Sequence, residues 1–441
     1  MRSLIILVGV LVFAVGCGKE PVAPTTSTAL LSGIITVDGS DDFSGIDVRI
    51  VIPGDTLFRG VSNIDGHVSG LVRFRQPERY VMTISRNNRV LHQQELILAP
   101  DDTLSFSGVI PRLADSFVVQ SPEQTAWQTY MRLNRQYDRI LRFSSTGEIS
   151  VDSIRSTIKM WSDLYWSLND AHPSTFASDQ ARFRSITMLN GIDDDLMMER
   201  MSTLGNSNEE FALRLSLGSE IALRTRGIEP ALAYVDSLKK TTRNADLKSS
   251  SDMRRIELMV LSGDADRSLA EVKSFRRKHK DTAFDNWASA LEYELEFLIP
   301  GKILPHFSIE GEGDSITTAS LAGKPYMIEF VGLATDPYRE QYSDLVALHT
   351  KVADAGVRFI TVPLDTHPAI LSGFFTERPK RWTVTPIGSF ASSNIGDQLR
   401  VDQVPMRYLV GADGIVIGRY FSYDLDELET DLTPLLTQPN L

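Results

Sequence analysis

Five side chains able to handle protons or charge fall within eleven residues, Glu329-Phe-Val-Gly-Leu-Ala-Thr335-Asp336-Pro337-Tyr338-Arg339. An apolar strand runs out through Phe330 and Val331, turns at Asp336-Pro337, and gives way to a helix that carries Arg339 and Glu340 in its first turn. In α/β folds ligands gather at such strand-to-helix turns, at the carboxyl ends of the strands. Glu329 could accept a proton, Thr335 and Tyr338 offer hydroxyls, and Arg339 a fixed positive charge. Neither hydroxyl is a ready nucleophile. A serine or threonine oxygen needs an adjacent base, and a phenol ionises only near pH ~10. The turn has the placement of an active site without its usual chemistry.

The rest of the chain supplies no substitute. Its 441 residues include one cysteine, Cys17, so no internal disulfide, dithiol pair or cysteine-rich zinc site can form. The seven histidines, His67, His92, His172, His279, His306, His349 and His367, are scattered and form no HExxH-like pair, so no metal and no cofactor is expected. A net charge of −12 argues against nucleic acid or an anionic bilayer as an electrostatic partner. A hydrophobic fraction of 42% is enough for ordinary cores.

Four segments precede and position that turn. Residues 1–16 carry basic Arg2, an apolar run from Leu4 to Val15 and small Gly16, the pattern of a signal peptide. The end, Phe-Ala-Val-Gly-Cys17, resembles a bacterial lipobox, which implies an acylated Cys17 at the mature N-terminus and a membrane-tethered protein outside the cytoplasm. Gly18 after the cysteine resembles outer-membrane sorting, with the protein facing the periplasm or the surface. Residues 17–29, with Pro21-Val-Ala-Pro-Thr-Thr-Ser-Thr28, read as an extended tether. Residues 30–112 alternate short β-rich runs with Gly, Asp and Asn breaks, and Asp65-Gly66 is a tight-turn signal, so a small β-sandwich is expected. The order Gly33, Gly45, Val48, Asp65, Gly66, Gly70, Tyr80 resembles the carboxypeptidase regulatory-like domains, which implies a structural or adhesive module.

Residues 118–299 switch to helical periodicity. Leu232-Ala-x-Val-x-Ser-Leu238 recurs as Leu269-Ala-x-Val-x-Ser-Phe275, which leaves a helical-repeat scaffold and a plain bundle both open. Trp127, Tyr130, Trp161, Tyr165 and Trp166 sit at helical spacings, as core residues do.

Residues 301–441 alternate strand and helix, implying an α/β domain with a mostly parallel sheet. This stretch resembles the thioredoxin-like, redoxin-type domains of membrane-anchored bacterial disulfide reductases. The resemblance lies in Pro305-x-Phe307, in Leu321-x-Gly323-Lys324 before the central strand, and in Val404-Pro405-Met406 at the place of the family's cis-proline. It places Glu329 at the family's buried acid and Thr335 and Tyr338 at its two cysteines, with Pro337 between them and Arg339 after. The resemblance implies a redox site from which both sulfurs are gone. A dithiol reductase needs one thiolate to attack and a second thiol to resolve the mixed disulfide. On a central strand Glu329 would be desolvated, and one reading of it is a relic or repurposed acid. The other reading is a carboxyl satisfied by a local polar partner.

Three functional readings follow. In the first, the chain is a lipid-anchored envelope protein with a redox-inactive thioredoxin-like domain. That domain would bind a protein or extended peptide through Asp336, Pro337, Tyr338, Val404, Pro405 and Met406. Tyr338 then offers an apolar body with a polar tip to a partly wet contact. In the second, it assists redox or cytochrome maturation with a partner's thiols, or runs unrecognised chemistry at Thr335, Tyr338, Glu329 and Arg339. In the third, it is a structural envelope module.

Overall fold

In the computed structural model the described residues are 26–144, 150–422 and 424–437. The signal-like segment, Cys17 and most of the tether lie outside them. The contacts divide the chain into two compact units, one ending at Ser251 and the other starting at Asp252. The helices expected over 118–299 are therefore shared between both. Among the described residues no helix is long and apolar enough to cross a membrane.

The first unit opens with a two-sheet sandwich. Its strands are β1 (Ser27–Val37), β2 (Ile46–Ile52), β3 (Asp55–Val61), β4 (His67–Phe74), β5 (Glu78–Arg86), β6 (Arg89–Leu98), β7 (Thr103–Ile110) and β8 (Val118–Gln120). One sheet has the order β4-β1-β7-β8, the other β3-β2-β5-β6. Thus the last strand of the first sheet lies beyond residue 112, inside the stretch read as helical. Period-two alternation places Leu31, Ile35, Val48, Ile50, Met82, Ile84, Leu104 and Phe106 in one core. Gly33 has no side chain because a Cβ there would lie 2.4 Å from the Phe106 ring. Gly66, at φ 81°, makes the turn into β4 that Asp65-Gly66 announces.

Helices follow. Trp127, Tyr130, Tyr137, Trp161 and Tyr165 form a buried aromatic cluster between Pro122–Ser144, Val151–Ala171 and Phe176–Met188, the core role their spacing suggested. Trp166 is half-buried under the guanidinium of Arg200, 4.9 Å from its ring centre. The repeated heptapeptides both lie on helices, Ile228–Lys240 and Ala265–Lys278. The first packs on the helix before it, Ser219–Arg226, and the second on the helix after it, Ala283–Phe297. A periodic solenoid would put equal sequences in equal places within a hairpin, so the recurrence marks a shared helix pattern and not a repeat unit.

The C-terminal part adds β9 (Ser308–Ile309), β10 (Ile316–Thr317), β11 (Tyr326–Val331), β12 (Arg358–Pro363), β13 (Thr383–Val384), β14 (Met406–Val410) and β15 (Val416–Tyr420). The main sheet has the order β13-β12-β11-β14-β15, with β11 parallel to β12 and antiparallel to β14. Helix Asp336–Val352 links β11 to β12, Pro368–Thr376 follows β12, and Leu425–Leu432 follows β15. This βαβ then ββα order around a central β11 is the thioredoxin-like arrangement the sequence resembled. The sheet is mixed rather than mostly parallel, since β14 and β15 form an antiparallel hairpin.

Candidate functional site

Register builds the site. Glu329 on β11 is the direct neighbour of Thr361 on β12 and of Arg407 on β14. Side chains opposite one another on adjacent strands share a face with Cβ atoms about 5 Å apart. The three therefore form one polar row through an otherwise apolar sheet. Glu329 and Arg407 are both fully buried, and Arg407 Nε donates to Glu329 Oε2 at 3.1 Å. On Oε1 the carboxylate accepts from Tyr338 Oη at 2.7 Å and from Thr361 Oγ1 at 2.5 Å. Trp382 Nε1 donates in turn to Thr361 Oγ1 at 2.7 Å. Gln341 Oε1 accepts from Arg407 Nη2 at 3.2 Å, and the Gln341 amide reaches the Ser422 carbonyl. A buried charge is tolerated when it is paired and its remaining lone pairs are satisfied, and Glu329 meets both conditions.

Tyr338 corrects an expectation. It is not a half-wet contact residue. It is wholly buried, stacked on Phe374 with ring centres 5.7 Å apart, and its hydroxyl points inward to Glu329. The cause is helical geometry: as the third residue of Asp336–Val352 it faces the sheet, while Thr335, Asp336 and Arg339 face out. Burial, followed by the neighbouring Glu329 carboxylate, pushes its phenol well above the usual range, so it remains a neutral donor. Glu329 follows the second of its two readings, a carboxyl satisfied by local partners.

The outer part of the turn is a different environment. Thr335 is exposed, and its hydroxyl donates to the Gly332 carbonyl at 2.7 Å. The Leu333 N–H donates to Asp365 Oδ2 at 2.7 Å, pinning the end of β11 to the end of β12. Asp336 is exposed and Pro337 half-buried. Met406 pairs with Phe330 at the start of β14, so the Val404-Pro405 segment lies at the same end of the sheet as the 332–337 turn. The Val404–Pro405 peptide is cis, and Val404 is half-buried, whereas Pro405 and Met406 are buried. Among the described residues no backbone hydrogen bond is made by Val404. Of the six proposed contact residues, the surface thus keeps Asp336, Pro337 and Val404. Pro405, Met406 and Tyr338 are support.

Arg407, Thr361, Trp382 and Gln341 were not singled out from the sequence. The available signal was an arginine inside the apolar run Val404-Pro-Met-Arg407-Tyr-Leu-Val410, where a lone cation on a buried strand demands an anion. Among the described residues no group of three or more His, Cys, Asp or Glu side chains could hold a metal ion.

No protein-family model and no curated protein matches the chain. Several solved structures are similar over about a third of it. One is a putative thiol:disulfide interchange protein DsbE from Chlorobium tepidum, at 19% identity over 32% of this chain and 99% of that one, with a TM-score of 0.29. Another is the thioredoxin domain of a thiol-disulfide oxidoreductase from Bacteroides vulgatus, at 16% identity over 32% and 99% of the two chains, also with a TM-score of 0.29. A third is a secreted Mycobacterium tuberculosis disulfide oxidoreductase, at 18% identity, 29% and 95% coverage and a TM-score of 0.25. At these values the fold assignment rests on the strand order and register given above.

Proposed function

We propose that this is a lipid-anchored envelope protein whose thioredoxin-like domain carries out no dithiol chemistry and binds an extended polypeptide beside Val404. The observation that carries the reading is the inward Tyr338. The position of a resolving thiol is filled by a phenol committed to a buried carboxylate, while the neighbouring backbone edge at Val404 makes no hydrogen bond among the described residues. An unpaired backbone segment at a sheet end accepts an incoming strand through main-chain hydrogen bonds, with flanking side chains giving selectivity. Thr335, Asp336 and Pro337 flank it on the surface. The Cys17 lipobox and the tether after it support an anchor that holds this surface near other envelope proteins.

The test is made in intact cells with two variants. Val404→Asp puts a charge beside the edge without touching the buried row, and Cys17→Ala removes the acylation site. Crosslinked partners should be lost from the first variant while it stays in the membrane fraction, and the second should leave that fraction. Unchanged crosslinking by a well-folded Val404→Asp protein would refute binding at this edge.

A further inference from the structure

Asn190-Gly191 is the single Asn-Gly pair of the chain. It lies in the exposed turn between helices Phe176–Met188 and Asp194–Ser202. Gly191 holds φ 71°, with open space where a Cβ would stand. The N–H groups on either side are engaged by backbone carbonyls: Asn190 donates to Thr187 at 3.3 Å and Ile192 to Leu189 at 2.9 Å. The Gly191 N–H instead donates to a carboxylate, Asp194 Oδ1, at 3.3 Å. Arg224, on helix Ser219–Arg226, completes the arrangement. Its Nη2 donates to the side-chain carbonyl of Asn190, Oδ1, at 3.2 Å and to the same Asp194 oxygen at 2.7 Å. An ion pair that clips two helices needs only Asp194 and Arg224. This one also engages the amide nitrogen and the carboxamide oxygen of a dipeptide whose own atoms can close a ring.

We infer that Asn190-Gly191 is a site of self-modification, at which the folded chain converts Asn190 to aspartate and isoaspartate. The Gly191 nitrogen, its proton drawn off by Asp194, attacks Asn190 Cγ, and the new N–Cγ bond closes a succinimide ring. Asp194 acts as general base, within hydrogen-bond reach of the proton it takes. The negative charge that develops on Asn190 Oδ1 falls where the Arg224 guanidinium already donates, and that cation is charged at any working pH. The tetrahedral centre collapses as the Cγ–Nδ2 bond breaks, and ammonia leaves with the proton that Asp194 took from Gly191. Water then adds to either imide carbonyl and opens the ring, to aspartate at one and isoaspartate at the other. No oxidant or reductant is needed. Gly191 suits the attack because it has no side chain to crowd the nitrogen. Either product sets a new carboxylate beside Arg224, and isoaspartate also lengthens the main chain by a methylene where Phe176–Met188, Asp194–Ser202 and Ser219–Arg226 are linked.

The test incubates the purified whole chain at neutral pH and follows the peptide that contains residues 190 and 191 by mass spectrometry, with fragmentation that separates isoaspartate from aspartate. The folded chain is compared with the same chain unfolded in urea, and with Asp194→Asn, Arg224→Gln and Gly191→Ala, whose folds are checked by circular dichroism. The folded chain should convert faster than the unfolded one by roughly tenfold. Asp194→Asn and Arg224→Gln should each bring the folded rate down to the unfolded rate and leave the unfolded rate unaltered, whereas Gly191→Ala should slow both. A folded rate at or below the unfolded rate would overturn the inference, because folding would then protect the pair. So would folded Asp194→Asn and Arg224→Gln proteins that convert as fast as the unmodified chain. Aspartate formed without isoaspartate would show direct hydrolysis and overturn the ring-closing route. The folded-against-unfolded comparison needs no variant and decides the matter even where a substitution disturbs the fold.

Discussion

Tyr338 shows how one side chain can close a site that its position would otherwise open. Its hydroxyl serves Glu329 from the helix side, Thr361 serves it from β12, and Arg407 balances its charge from β14. A row of this kind contributes little net stability when whole, because the desolvation of two ions offsets their attraction, but removing one member leaves an uncompensated buried charge. Glu329→Leu or Arg407→Leu alone should therefore cost about 3–5 kcal/mol, and the double variant clearly less than the sum. Tyr338→Phe, which deletes one hydrogen bond to a carboxylate, should cost about 1.5–3 kcal/mol. Denaturant unfolding of the unmodified protein and these four variants checks the losses, and additive losses in the double variant would dissolve the coupled row. In the sequence Glu329 was legible as a buried acid because the resemblance pointed to it. Its counter-ion was not, because a partner 78 positions away becomes adjacent only once β11 and β14 are in register.

At the scale of elements, helix Asp336–Val352 joins the turn to the core, and its last turn holds His349. The imidazole sits 5.1 Å from the Phe359 ring and 5.2 Å from the Trp382 ring, centre to centre. Burial, and then the Arg381 charge, lower its pKa below 6.5. The sign follows from linkage: above the unfolded value both states are neutral and nothing is lost. As pH falls through that value the unfolded chain binds the proton first, so stability drops until the folded pKa is passed. Stability measured between pH 8 and pH 5 should decline on the acid side, and His349→Gln should flatten that part of the decline. An unchanged slope in the variant would assign the decline to other groups. The elements themselves were largely readable: alternation gave the sandwich strands, and the Asp336-Pro337 break gave the turn from the central strand into its helix. The short Val118–Gln120 strand was hidden by the helical pattern that starts directly after it, and the apparent 232/269 repeat dissolved once packing partners were known. Local pattern specifies an element but not which neighbour covers it.

For the whole molecule, the proposal joins a tethered sandwich, a helical middle and a thioredoxin-like domain that has kept a peptide-facing edge while its redox positions hold Thr335 and Tyr338. Under the proposed anchoring the single cysteine, Cys17, is acylated at the mature N-terminus, so it supplies no thiol to the turn. In the proposed function the domain's shape is used without the chemistry of a dithiol. The most direct measurement is the rate at which the purified whole chain, with Cys17→Ala, accelerates reduction of a protein disulfide by a small thiol at neutral pH. The expected rate is that of buffer alone at every protein concentration. Turnover that rises in proportion to protein concentration would contradict it.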